Sequence, residues 1–308
     1  MKLASPLRTK KVAFGYRDAQ VLKDVSLHIK SSQIVAVVGT SGSGKSTFLK
    51  LLTGVISSGH EGSIKIFGLG SALAKQDIAY IPQEVSLFPD LTLEENISFF
   101  GSLYGLSKQS SLHKGKELLA LLNMRVPLTR KPTELSGGQR VRLNIVVSLL
   151  HDPKVIILDE PFVGLDYKNR KLLWHILLSQ KNRRKTVILT THLLSEAEHH
   201  ADQLVVLHQG KILAKGKIDA LKQKLKTAFI AEVKFSGLTK RDQQVFHTYC
   251  AQHDITILDE FGSYAMVSLA SQGQRNYLLR FLEKEGLGYE ELSFREPSLD
   301  ELFLQVEE

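Results

Sequence analysis

At 308 residues, with 43% hydrophobic and 23% charged side chains, the chain has the make-up of a folded globular protein, long enough for one large domain and a small one. Its 40 Lys and Arg against 32 Asp and Glu leave a net charge of +8, which suits phosphates, anionic headgroups or nucleic acid, and equally an ordinary basic surface. The single cysteine, Cys250, excludes an internal disulfide and a cysteine-built zinc cluster; within FHTYCAQH it reads as a small buried side chain.

The N-terminal stretch MKLASPLRTKKVAFGY is basic but has no apolar core of signal-peptide type. The apolar runs IVAVVG, VIILD and IVVSLL fall far short of the roughly 20 residues a membrane helix needs. The expectation is a soluble, cytosolic chain. VLKDVSLHI alternates as a half-buried strand, and QIVAVVG is a buried β-branched run that ends in glycine. STFLKLLTGV has helical spacing. GSIKIFG, DIAYIPQ, KVIILDE, TVILTTH and DQLVVLHQGKIL read as further strands. Helical patterns at SLHKGKELLALLNM, GGQRVRLNIVVSLL, YKNRKLLWHILLSQK and SEAEHHA separate most of them, so this part is an α/β domain with a mostly parallel sheet. It extends over residues 1–226. Residues 227–308 form a second unit: KTAFIAEVKFSG, DITILDEFG, YAMVSLAS and GYEELSFRE as strands, TKRDQQVFHTYCAQH and GQRNYLLRFLEKEG as helices. The resulting order, βαββαβ, is that of a small ferredoxin-like α+β module. EPSLDELFLQVEE reads as a terminal helix with Pro297 at its start.

GTSGSGKST, Gly39 to Thr47, matches G-x-x-x-x-G-K-[ST] between a buried strand and a helix, the context that the phosphate-binding loop requires. Its residues are Gly39, Thr40, Ser41, Gly42, Ser43, Gly44, Lys45, Ser46 and Thr47. The glycines let consecutive N–H groups turn inward around the α- and β-phosphates, and the helix adds its positive end. Lys45 is placed for the β- and γ-phosphates, Ser46 for Mg²⁺ and Thr47 for the α-phosphate. VIILDE ends in two carboxylates: Asp159 suits the metal, and Glu160, facing elsewhere by strand alternation, suits deprotonation of the attacking water. Together these point to nucleotide hydrolysis without saying in which machine.

LSGGQ, Leu135 to Gln139, makes the likeness specific. With the glycine loop it resembles the nucleotide-binding subunits of ATP-binding-cassette (ABC) proteins, over essentially the whole chain. The resemblance implies the fold of a P-loop NTPase and further roles in family order. Tyr16 corresponds to the aromatic that stacks on adenine, and Gln83 to the glutamine that touches Mg²⁺ and the attacking water. Asp166 of GLD belongs to the loop that crosses to the partner subunit, and His192 of LTTH contacts the γ-phosphate. Ser136, Gly137, Gly138 and Gln139 open a helix whose N-terminal end is an anion site, which in the family binds the γ-phosphate of ATP held by the opposite subunit. Asp166 equally suits the cap of the helix that starts at Tyr167 or Lys168. Tyr167 stands where proline is common in the family, and Val141 and Leu143 make the signature helix slightly unusual.

The same resemblance implies ATP and Mg²⁺ as ligands, a second copy or a homologous ATPase as partner, and a separate membrane-spanning permease subunit. QEVSLFPDLTLEENISFFGSLYG and EPSLDELFLQV are similar to the exporter-type branch, which places the chain at the cytoplasmic face of the membrane. The rival function is a cassette ATPase working on ribosomes or DNA. Such proteins carry two cassettes, long coiled-coil insertions or cysteine zinc modules, none of which this sequence has, so no nucleic-acid polymer is expected as partner.

Overall fold

In the computed structural model, which describes residues 5–17, 19–71, 73–222, 227–298 and 301, the basic stretch LRTKKVAFGY is a strand, β1 (Leu7–Tyr16). Its alternation is hidden in the sequence because the pairing slips between Lys10 and Ala13, where Lys11 takes a left-handed φ of 50°. β1 pairs antiparallel with β2 (Ala19–Val25), β3 (His28–Ile29) and β5 (Glu61–Ile66), which in turn pairs with β6 (Leu69–Gly70). This antiparallel sheet was not separable from the parallel one by pattern alone. VLKDVSLHI, expected as one strand, is divided into β2 and β3 because Leu27 N turns to donate to Thr9 Oγ1 at 2.9 Å.

A second sheet contains β4 (Ile34–Val38), β7 (Ile78–Ile81), β8 (Val155–Leu158), β9 (Thr186–Thr191), β10 (Gln203–His208) and β11 (Lys211–Gly216), in the order β11-β10-β4-β9-β8-β7. All of its pairings are parallel except β10 with β11, as the α/β pattern required. DQLVVLHQGKIL, expected as one strand, folds back as that hairpin, with Gln209 and Gly210 at φ 44° and 80°. β4 and β8 are buried on both faces, which explains their unbroken apolar runs.

The helix after β4, α1 (Lys45–Leu52), buries Phe48, Leu49, Leu51 and Leu52 in one cluster with residues of both sheets, among them Leu7, Val12, Val35, Val37 and Ile157. Burying each such side chain contributes roughly 2 kcal/mol. α2 (Leu93–Leu103) starts with a capping box: Thr92 Oγ1 accepts from Glu95 N, and Thr92 N donates to Glu95 Oε2 at 2.7 Å. It packs on α3 (Lys108–Leu121). α4 (Gly137–Leu149), α5 (Tyr167–Asn182) and the short α6 (Leu194–His200) complete the unit Met1–Lys217.

The second unit, Ile218–Glu308, holds α7 (Ile218–Lys222), β12 (Phe229–Phe235), α8 (Lys240–Gln252), β13 (Thr256–Phe261), β14 (Tyr264–Leu269), α9 (Gln272–Lys284) and β15 (Tyr289–Arg295). Its antiparallel sheet has the order β13-β14-β12-β15, the arrangement of a ferredoxin-like βαββαβ module. Ala231, Val233 and Phe235, alternating along β12, cluster with Phe246 and Cys250 of α8 and Leu278 and Leu282 of α9. Of the terminal helix expected over 297–308, residues 299–300 and 302–308 lie outside the described residues.

Candidate functional site

Because β4, β9, β8 and β7 are adjacent and parallel, their C-terminal ends open on one edge of the sheet, where such folds bind ligands. Each end delivers a segment singled out in the sequence: the glycine loop after β4, His192 after β9, Asp159 and Glu160 after β8, and Gln83 after β7. A cavity of about 590 Å³ opens there, lined by Gly39–Gly42, Gly44–Thr47, Gln83, Glu160 and His192, together with Val21 and Val163.

Two of the glycines are sterically required. A Cβ on Gly39 would lie 2.1 Å from the Leu207 carbonyl oxygen. Gly44 has φ 103°, and its Cβ would meet Leu22 Cδ2 at 2.8 Å. Lys45, 9% exposed, donates through Nζ to the carbonyl oxygens of Gly39 (2.8 Å) and Thr40 (3.1 Å) and lies 3.8 Å from Glu160 Oε1. Ser43 Oγ is buried behind the loop without a hydrogen-bond partner, and Ser43 does not line the cavity.

Asp159 is 4% exposed; its Oδ1 accepts from Ser46 Oγ at 3.0 Å and from Thr190 Oγ1 at 2.7 Å. Burial, and then the charge of Asp159, push the Tyr80 phenol up to about 12, so it stays neutral beside the site. The sequence predicts that strand alternation turns Glu160 away from Asp159, but a backbone bend beyond the strand does so instead. β8 ends at Leu158, and Glu160 turns through a left-handed bend with φ 47°. Its N–H donates to Thr190 Oγ1 at 2.8 Å, and its Oε2 lies 3.0 Å from His192 Nδ1. One carboxylate, 13% exposed, thus stands between the Lys45 ammonium and the His192 imidazole. Thr190, fully buried, holds the Asp159 carboxylate and the Glu160 backbone N–H by one hydroxyl; it is one of three threonines in the β-run TVILTT, and nothing in the sequence sets it apart from Thr186 and Thr191.

Ser46, Asp159 and Gln83 offer a hydroxyl, a carboxylate and an amide carbonyl, hard oxygen donors of the kind that Mg²⁺ takes, and the Ser46–Asp159 contact already draws two of them together.

Ser136, Gly137, Gly138, Gln139, Asp166 and Tyr16 do not line this cavity. Ser136 caps α4: its Oγ accepts from Gln139 N, and Gln139 Oε1 accepts from Ser136 N at 3.0 Å. Asp166 caps α5, accepting from Asn169 N at 2.8 Å, so the capping role read from sequence holds. The two caps are neighbours, since a Cβ on Gly138 would lie 3.1 Å from Asn169 Nδ2, which itself donates to Asp166 Oδ2 at 2.9 Å. Tyr16 ends β1, 47% exposed and edge-on to Phe14 at 5.0 Å.

Residues 22–163 match the family described as ABC transporter. Nod factor export ATP-binding protein I of Burkholderia lata is 34% identical over 221 residues, 70% of this chain and 72% of that protein. Linearmycin resistance ATP-binding protein LnrL of Bacillus subtilis is 27% identical over 304 residues, 97% of each chain. ABC transporter G family member 20 of Dictyostelium discoideum is 36% identical over 78% of this chain, which spans 33% of that protein's length. Among solved structures, the bacterial ABC transporter cassette MJ0796, determined as a dimer, superposes with a TM-score of 0.63 at 26% identity, covering 69% of this chain and 98% of that one. Likeness of this extent, with the glycine loop, Gln83, Glu160 and His192 gathered at one edge of the sheet, makes the chain a member of the ABC transporter family, one of its ATP-binding proteins.

Proposed function

We propose that this chain hydrolyses ATP to ADP and phosphate as the motor subunit of an exporter-type ABC transporter, with residues 1–226 as the nucleotide-binding domain and 227–308 as an accessory module. The observation that carries the proposal is the Glu160 carboxylate, held between Lys45 and His192 at the mouth of the glycine loop. Glu160 takes the proton of the attacking water. Lys45 and the loop amides stabilise charge on the β- and γ-phosphates, and His192 orients the γ-phosphate. Bound Mg²⁺, held by Ser46, Asp159 and Gln83, supplies charge neutralisation across the phosphates. Tyr16 stacks on the adenine.

A second copy, or a homologous ATPase, completes the site. Ser136–Gln139 and Asp166 adjoin one another but lie off their own chain's cavity, which supports their donation to the ATP of a partner. The neighbour MJ0796 is described as a dimer, in keeping with this assembly. ATP is then the ligand that shifts the population toward the closed pair.

No helix among the described residues is long and apolar enough to cross a membrane. In this proposal translocation belongs to a membrane-spanning permease subunit, with this chain bound at its cytoplasmic face. The names of the Nod factor export and linearmycin resistance relatives support the export direction. A docking surface is available beyond Gln83: Phe88 and Phe99 meet edge-on at 4.8 Å, and both remain partly exposed at 43% and 39%.

The test is Glu160→Gln in the full chain. Hydrolysis should fall by about a thousandfold while ATP still binds, and light scattering should read twice the monomer mass with ATP and Mg²⁺. Turnover at the unmodified rate would remove Glu160 as the base and the proposal with it.

A further inference from the structure

Beside the catalytic edge lies a buried ring to which the hydrolysis scheme gives no part. Trp174, on α5, is 3% exposed. On one side it stacks on Phe162 (centroids 4.8 Å apart, planes at 26°), two residues beyond Glu160. On the other, its Nε1 donates to Glu196 Oε2 at 2.8 Å, and its ring lies 4.7 Å from that of His200. Glu196 and His200 both belong to α6, the helix that follows His192. The second oxygen of Glu196, Oε1, forms an ion pair with Arg170 Nε of α5 at 2.9 Å.

These contacts close a ring of constraints. Glu160 and His192 face each other through a 3.0 Å contact. Their chain segments run on to Phe162 and Glu196, and one indole holds both. α6 needs such a tether. It has seven residues, no side-chain N-cap and one buried residue, Ala197, so apolar packing contributes little to its placement. An indole in an ordinary core requires only some acceptor for its N–H; here the acceptor, Glu196, belongs to the helix that begins two residues after His192.

We propose that Trp174 is a positioning residue for hydrolysis: through Phe162 and Glu196 its indole sets the spacing between Glu160 and His192. The proposal rests on the assignment of those two residues to the hydrolytic step.

Trp174→Phe keeps an aromatic ring against Phe162 and His200 but removes the N–H. In the full chain, kcat should fall about tenfold with KM for ATP within about twofold, the effect of losing one hydrogen bond to a charged group in the transition state rather than in binding. Glu196→Ala should lose a similar factor, and Glu196→Gln, which still offers the indole an acceptor, should recover most of it. A readout that packing alone would not move comes from fluorescence. Trp174 is the sole tryptophan, so all indole emission reports this position. ATP with Mg²⁺ should change that emission in the unmodified chain and leave it unchanged in His192→Ala. Wild-type kcat in Trp174→Phe, a loss seen in KM alone, or a loss matched by a fall in the folded fraction on melting would overturn the proposal. So would emission indifferent to ATP that calorimetry shows to be bound. Failure of the ATPase assignment has its own signature, an unmodified chain that takes up no ATP in calorimetry, and it removes this inference as well.

Discussion

Thr190 shows how much one buried hydroxyl governs. It donates to Asp159 Oδ1 and accepts from Glu160 N, fixing the Asp159 carboxylate and the bend that aims Glu160. Thr190→Val keeps the shape and removes both partners. Asp159, almost fully buried, then retains only Ser46 of its two hydroxyl donors, and the Glu160 amide is left unpaired. Urea unfolding should show a loss of about 1–3 kcal/mol, the cost of buried polar groups left unsatisfied, and ATP turnover should fall with it. Unchanged stability would mean that water replaces the hydroxyl and that the bend is set elsewhere. Lys45, Ser46, Asp159, Glu160 and His192 were legible as residues of interest because their chemistry is written into short motifs. Thr190 was not, because a threonine in a β-run is ordinary until its neighbours are known.

At the scale of elements, the pairing of α2 with α3 rests on two small residues. A Cβ on Gly101 would come within 2.0 Å of Ser111 Oγ, and one on Gly115 within 2.7 Å of Ile97 Cγ2. Ile97 and Gly101 are one turn apart on α2, as are Ser111 and Gly115 on α3, so the helices approach along two successive rungs. Glycine within a helix costs about 1 kcal/mol against alanine, and the close approach offsets that cost. Gly115→Val should destabilise the chain by about 1–3 kcal/mol in thermal or urea melts through overpacking against Ile97. A neutral result would show that the helices separate freely. The sequence marked α3 as helical, but the reason for a glycine at 115 lies on the other helix. The capping boxes at Thr92 and Ser136, by contrast, are local devices that join residues three apart.

Each of the two units carries one side chain of a kind found nowhere else in the chain: Trp174 in the first and Cys250 in the second. Cys250 is 1% exposed, and burial, then the charge of Glu260, push its thiol up to about 12. At pH 8 the thiolate fraction is then on the order of one in ten thousand, and the sulfur is shielded as well. Iodoacetamide should leave the native chain unlabelled at pH 8 and alkylate it fully in urea, as mass spectrometry reads directly. Rapid native labelling would show that the ferredoxin-like unit opens at α8.

By itself the sequence determined the motifs, the family resemblance, the α/β character of the first unit and the element order of the second. Each of these is local, a matter of loop chemistry, caps and hydrophobic period. Tertiary structure decided what stands beside what. Along the chain the active segments follow the order Lys45, Gln83, Glu160, His192, whereas across the sheet they lie as β4, β9, β8, β7. Pairing between distant strands therefore seats His192 against Glu160 and leaves Gln83 at the far end. The antiparallel sheet around β1, the left-handed turn at Glu160 and the bond from Trp174 to Glu196 belong to the same class. Each depends on contacts between residues far apart in sequence, and no periodicity within a single segment encodes such a contact.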